Sequence, residues 1–282
     1  MPSRCCLMIA LWLSLLSTAS AQTESADDLL KKAKAALMQG EGDEATALLT
    51  KAIALDGKHT PALQLRAAIA EARGKNAEAL ADLNKIVALD PKAAEAIDRR
   101  GSVHFKLGKF AESLADFDRF IALQPQEFAG HWRRGITCYY AGKFAEGRKQ
   151  FEGYEKVDTN DVENAVWHFL CVARADGVEK ARAALLKIGK DARVPMMEVY
   201  ALYGGKAKPE DVLAAAQAPD LPADKAGARL FYAHLYLGLY YEVLGDRKKA
   251  LEHMAPAAEK YKIRHYMGDV AQVHLDLLRQ AK

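Results

Sequence analysis

The chain has 282 residues, half of them hydrophobic and 27% charged, with 40 basic against 37 acidic side chains and a net charge of +3. That composition buries a core and excludes a disordered chain. The two signs interleave without a basic stripe, which argues against nucleic acid as a partner.

Residues 1–21 read as an export signal. Arg4 supplies a short basic start, Cys5 to Leu16 is an apolar run broken only by Ser14, and Ala19-Ser20-Ala21 fits a small-residue cleavage pattern that leaves Gln22 first. The run is shorter than the roughly 20 residues that span a bilayer. A periplasmic or secreted protein with no stable membrane span is therefore expected, with a retained anchor as the alternative. Only Cys138 and Cys171 remain after cleavage. They read as two buried thiols or as a single bridge.

From residue 22 to 160 the sequence repeats. Ala45, Ala79, Ser113 and Gly147 lie 34 residues apart and all are small. Five residues before each stands a glycine, Gly40, Gly74, Gly108 and Gly142. A second small column holds Ala33, Ala67, Gly101 and Gly135. Small residues let two antiparallel helices approach closely, and glycine ends the first helix of each pair in a left-handed cap. Such a pair buries its apolar face only against its neighbours, so the units stack.

These columns resemble the tetratricopeptide-repeat (TPR) family. The clearest match is Arg100-Gly101 through Gly108-Lys109-Phe110-Ala111-Glu112, which returns as Arg134-Gly135 through Gly142-Lys143-Phe144-Ala145-Glu146. The resemblance implies an all-α solenoid of helical hairpins.

Residues 161–230 loosen into a degenerate repeat and an irregular helical segment. Glu163 to Ala175 and Val178 to Ile188 read as one more helix pair. Pro195, Gly204-Gly205, Pro209, Pro219 and Pro222 then punctuate short pieces, with a helix start at Pro209-Glu210-Asp211. Residues 231–282 hold a late repeat, marked by Leu237-Gly238, Gly245 and Ala250. Pro256 interrupts its second helix. The segment Arg264 to Gln280 is expected to cap the last repeat. One solenoid with a distorted middle is expected, rather than two domains. This layout, with Val166-Trp167-His168-Phe169-Leu170 and the Leu237-Gly238 to Gly245-Asp246 unit, resembles the TPR adaptor lipoproteins of the bacterial envelope. In that family the fold is often a homodimer that brings substrates to periplasmic proteases and cell-wall hydrolases. The chain departs from it in lacking a cysteine at the cleavage point.

Nothing in the sequence has the spacing of an active site. None of the eight histidines pairs as H-E-x-x-H, and no nucleophile elbow or phosphate-binding glycine loop appears. No enzyme, metal or cofactor is expected, and His131 and His234 read as packing residues. The first helix of each TPR lines a concave groove, and repeats three to five place Arg99, Ser102, Phe105, Trp132, Arg133, Ile136, Tyr139, Tyr140 and Trp167 there. Aromatics interleaved with arginines suit a peptide or protein ligand. The alternative is that Trp132 and Trp167 pack on the neighbouring helix. A carboxylate clamp of the chaperone-tail kind is not expected, because Gln64 and Ala68 stand where it needs Lys and Asn. The segment from Phe231 to Tyr241 is apolar nearly all round, so it is covered either by the irregular middle and the cap or by a second subunit in a homodimer. The sequence thus reads as a non-enzymatic binding scaffold, with a self-associating assembly subunit as the alternative.

Overall fold

A computed structural model describes residues 24–219 and 225–280. The expected export signal and Pro222 lie outside the described residues. Among the described residues there are fifteen α-helices, arranged as consecutive hairpins, and no strand. No helix there is long and apolar enough to cross a membrane. The chain forms two compact units, one ending at Gly57 and one beginning at Lys58.

The first unit is a single hairpin, α1 (Ala26–Met38) and α2 (Gly42–Leu55). Ser25 starts α1 as a capping box: its hydroxyl accepts from the Asp28 amide at 3.1 Å, and the Asp28 carboxylate accepts from the Ser25 amide at 3.3 Å. Ala33 and Ala45, one from each small column, are fully buried.

The second unit begins with regular hairpins, α3 (Thr60–Ala72) with α4 (Asn76–Leu89) and α5 (Ala94–Lys106) with α6 (Phe110–Leu123). Gly108 sits at φ +70° between α5 and α6, where the Lys109 amide reaches back to the His104 carbonyl at 2.9 Å. An L side chain is strained at that φ, which is why this column is glycine. The other small column is set by close approach. A Cβ on Gly101 would stand 2.8 Å from the Phe117 ring, and one on Gly135 would stand 2.6 Å from Phe151.

Each regular hairpin is also pinned by a buried ion pair. Arg66 grips Asp82 with two bonds of 2.7 and 2.8 Å, and Arg100 grips Asp116 with two of 2.6 and 2.8 Å. Bidentate geometry of this kind fixes one helix on the other. One repeat later Arg134 meets a neutral Gln150 at 3.3 Å and turns its other bond, 2.6 Å, to the half-exposed Asp118.

From here the chain departs from the regular pattern. A 3-10 turn at Pro125–Glu127 takes the place of the expected first turn of α7 (Trp132–Tyr140), so His131 caps the helix instead of lying inside it. Its Nδ1 accepts from the Arg134 amide at 3.2 Å and its Nε2 meets Asp98 at 2.8 Å. After α8 (Phe144–Tyr154) and α9 (Val162–Asp176), α10 (Val178–Ala183) stops short of the expected Ile188. The following segment crosses the start of α9. There the Gly189 amide bonds the Thr159 carbonyl and the Lys190 amide bonds Asn160, both at 3.0 Å. Those pairings hold residues 184–195 out of a helix.

Two short helices follow, α11 (Met196–Tyr203) and α12 (Pro209–Ala216), the second starting at the expected proline. The long α13 (Ala226–Val243) pairs with α14 (Arg247–Ala255), and Pro256 opens a single π-turn to Lys260. Phe231, Leu235, Tyr236 and Leu239 of α13 are fully buried. They are covered by α9, α11, α12 and α14, so this chain alone accounts for the burial. The last helix, α15 (Tyr266–Gln280), packs on α14 but does more than cap it. Its first turn reaches α5, where Asp269 pairs with Lys106 at 3.3 Å and the Tyr266 ring lies 5.3 Å from Phe105. Cys138 and Cys171 are both buried and unbridged.

Candidate functional site

The groove expected from the sequence exists as a set of residues, and the chain's own C-terminal segment lies along it. His265 and Tyr266 cover Trp132, with ring centres 6.2 and 5.3 Å away, and Tyr140 meets His274 of α15 at 3.0 Å. Eight of the nine expected residues are therefore parted into three clefts bordered by α15 or the residue before it. Phe105 lines none of them. It is fully buried among Phe110, Tyr140 and Tyr266, and so serves the core instead of a groove.

The first cleft, of about 390 Å³, takes Arg99, Ser102 and Arg133. Among the described residues, all the charges lining it but Glu95 pair within the fold. Arg99 and Lys106 pair with Glu71, and Arg133 bonds Asp98 and Ser102 at 2.7 Å each. Burial works against the Asp98 carboxylate, yet the bonds from His131 and Arg133 outweigh it and hold its pKa below the usual range. The second cleft, of about 310 Å³, takes Tyr139 and Tyr140 beside Arg174, Glu242 and His274. The Tyr139 hydroxyl donates to Glu242 at 2.8 Å. Burial pushes both tyrosines well up and brings His274 down to about 4, so all three are neutral near pH 7.

The third cleft, of about 210 Å³, brings together Trp132, Ile136 and Trp167. Its other wall is a cluster that the sequence did not announce. Asp161 caps α9 and Glu163 follows in the first turn. The segment after α10 swings Arg193 onto both, at 2.7 Å to Asp161 and 2.5 Å to Glu163, and Arg193 also bonds Asp191 at 2.6 Å. The second Glu163 oxygen accepts from Tyr236 at 2.5 Å. Three carboxylates thus share one guanidinium. Burial drives the Asp161 and Glu163 pKa values up despite Arg193. The guanidinium itself is held charged, because the carboxylates outweigh its own burial. Asp161 and Glu163 look in sequence like ordinary acids at a helix start, and Arg193 arrives from 30 residues away.

Two polar atoms of residues lining this cleft lack partners among the described residues. Trp167 Nε1 and Asn164 Oδ1 are buried without a hydrogen bond, although Asn164 Nδ2 donates to the Phe151 carbonyl at 3.0 Å. Among the described residues no group of three or more His, Cys, Asp and Glu side chains is placed to hold a metal ion.

Two family models described as tetratricopeptide repeat match the chain, over residues 30–94 and 65–137. Among solved structures, a tetratricopeptide repeat protein from Parabacteroides merdae ATCC 43184 aligns with a TM-score of 0.58 at 15% identity, covering 90% of this chain and 99% of that one. YrrB, a TPR protein with an unusual peptide-binding site, aligns with a TM-score of 0.54 at 18% identity over 69% of this chain and 93% of its own. MamA aligns with a TM-score of 0.53 at 17% identity, covering 71% and 98%. At such identities the likeness shows the fold alone. No curated protein matches the chain significantly.

Proposed function

Since the chain is a tetratricopeptide-repeat protein, we propose that it is a non-enzymatic scaffold that binds a protein or peptide partner on the concave face, and that it is exported. One observation carries the binding reading. Trp132 is half-buried and lines the third cleft together with the buried Trp167 and the charged Asp161, Glu163 and Arg193. An aromatic side chain with a polar rim is the usual anchor of a protein interface, since it supplies large buried area at little conformational cost. The peptide-binding site of YrrB, on the same fold, supports the same reading. Export rests on Arg4, the apolar run and Ala19-Ser20-Ala21.

The test uses the mature chain as bait against envelope extract. The partners held by the native protein should be lost with Trp132→Ala and kept with Leu244→Ala, a control at an exposed apolar side chain. If Trp132→Ala retains them all, the cleft is not the binding site. N-terminal sequencing of the protein from its native cells should begin at Gln22. A chain still beginning at Met1 would overturn cleavage, and its recovery from the cytoplasmic fraction would overturn export.

A further inference from the structure

The geometry points to the third cleft as a pocket for one basic side chain, Lys or Arg, of an extended peptide. This inference rests on the peptide-binding reading and adds what the peptide must carry. Charge is the first ground. Asp161 and Glu163 line the cleft against the single guanidinium of Arg193, which Asp191, outside the lining, also bonds, and among the described residues Arg193 is the only Lys or Arg lining the cleft. The lining thus sets two carboxylates against one guanidinium. Burial raises the Asp161 and Glu163 pKa values, and a cation in the cleft would favour their charged forms.

Shape and surface are the second ground. The volume of about 210 Å³ is that of one large side chain rather than of a folded element. Trp132 and Trp167 wall it, and an indole is the best aromatic partner for an ammonium or guanidinium group. Ile136 and Met267 supply apolar surface for the methylene stem, the part of Lys and Arg that prefers to leave water.

The unpartnered atoms are the third ground, independent of the acids. Trp167 is 2% exposed and Asn164 5% exposed, and both line the cleft. A buried donor or acceptor without a partner costs about 1–3 kcal/mol, so such atoms are uncommon unless something completes them. Trp167 Nε1 needs an acceptor and Asn164 Oδ1 needs a donor. A peptide residue with a basic side chain offers both, in its backbone carbonyl and in its cationic head. A neutral apolar side chain would leave Asn164 Oδ1 unpaired, and an acidic one would meet the carboxylates of Asp161 and Glu163.

The test is selection from a displayed library of random linear peptides on the purified mature protein, followed by titration of synthetic copies. Selected peptides should share one Lys or Arg position. Replacing it with norleucine should weaken binding at least tenfold. Asp161→Asn keeps a good helix cap while removing one charge, and should weaken binding of the basic peptide by five- to tenfold with an unchanged circular dichroism spectrum. Trp132→Phe should weaken it less than Trp132→Ala. Peptides that bind yet carry no shared basic residue, or that ignore Asp161→Asn, would overturn the pocket and leave the scaffold reading standing. If no peptide is selected, peptide binding itself fails and the pocket falls with it.

Discussion

Residues 60–123 and residues 125–280 solve the same packing problem by different means. In the first stretch aliphatic side chains do most of the packing, with Leu63, Ala67, Leu83 and Ile86 all essentially unexposed and Phe117 a buried ring under Gly101. Each hairpin carries its own Arg–Asp clasp. In the second stretch the repeat pattern fails, and its faces are closed by aromatic rings and by a helix that turns back along the concave side. Phe105 stands at the junction. It belongs to α5, but its ring neighbours are Phe110, Tyr140 and Tyr266. An array that stops repeating must still cover its exposed face, and here the cover comes from α15, which parts the groove it covers.

The junction gives the strongest way to break this comparison. Phe105→Ala removes a fully buried ring, and such changes cost about 3–5 kcal/mol. Urea denaturation should show a loss in that range. Hydrogen exchange on the same variant should show α15 amides losing more protection than those of α3, because Tyr266 loses its support and α3 lies a repeat away. An equal loss in both helices would mean that α15 is not held separately at this point, and the contrast between the two stretches would collapse.

The clasps offer a contrast within one column. Arg100→Ala strands the Asp116 carboxylate, which is 5% exposed, and breaking a buried pair from one side costs on the order of 3 kcal/mol. Arg134→Ala strands only the Oε1 of a buried but neutral Gln150 and an Asp118 whose side chain is half-exposed, so a smaller loss, about 1–2 kcal/mol, is expected. Thermal melts of the two variants decide it. Equal losses would mean that the regular hairpins do not depend on their clasps more than the modified one does.

Much of the regular stretch was legible, because a helix pair of fixed length shows its cause in fixed columns. Gly108 and Gly142 marked left-handed caps, and Gly101 and Gly135 marked close approach. The same columns also contained the clasps: Arg66, Arg100 and Arg134 recur at the repeat interval, as do Asp82, Asp116 and Gln150, and only their pairing was left unread. The groove was legible residue by residue and misjudged as a surface. Nothing in positions 99 to 167 tells that α15 will lie across them, since Tyr266 and His274 are more than a hundred residues away from most of what they touch. The cluster around Arg193 was hidden for the same reason, and because Val178 to Ile188 has a pattern that suits a helix. The chain beyond Ala183 is held by bonds from the Gly189 and Lys190 amides to the Thr159 carbonyl and the Asn160 side chain, which leave no periodic trace.

The smallest expected effect tests what the two stretches share. Gly108 in the regular part and Gly245 in the late repeat have φ of +70° and +80°, and in neither case would an added Cβ meet another atom within 4 Å. The hydrogen bonds match as well: Lys109 to His104 and Asp246 to Tyr241, each 2.9 Å, close the same turn after the helix. Only backbone strain then separates glycine from alanine, so Gly108→Ala and Gly245→Ala should each cost about 1 kcal/mol. Denaturant titration of both variants should give the same loss within error. A Gly245→Ala loss several times that of Gly108→Ala would show that the late hairpin depends on its cap more than the regular one does. Equal losses would place the difference between the stretches in their faces alone, with the turn chemistry unchanged from one end of the chain to the other.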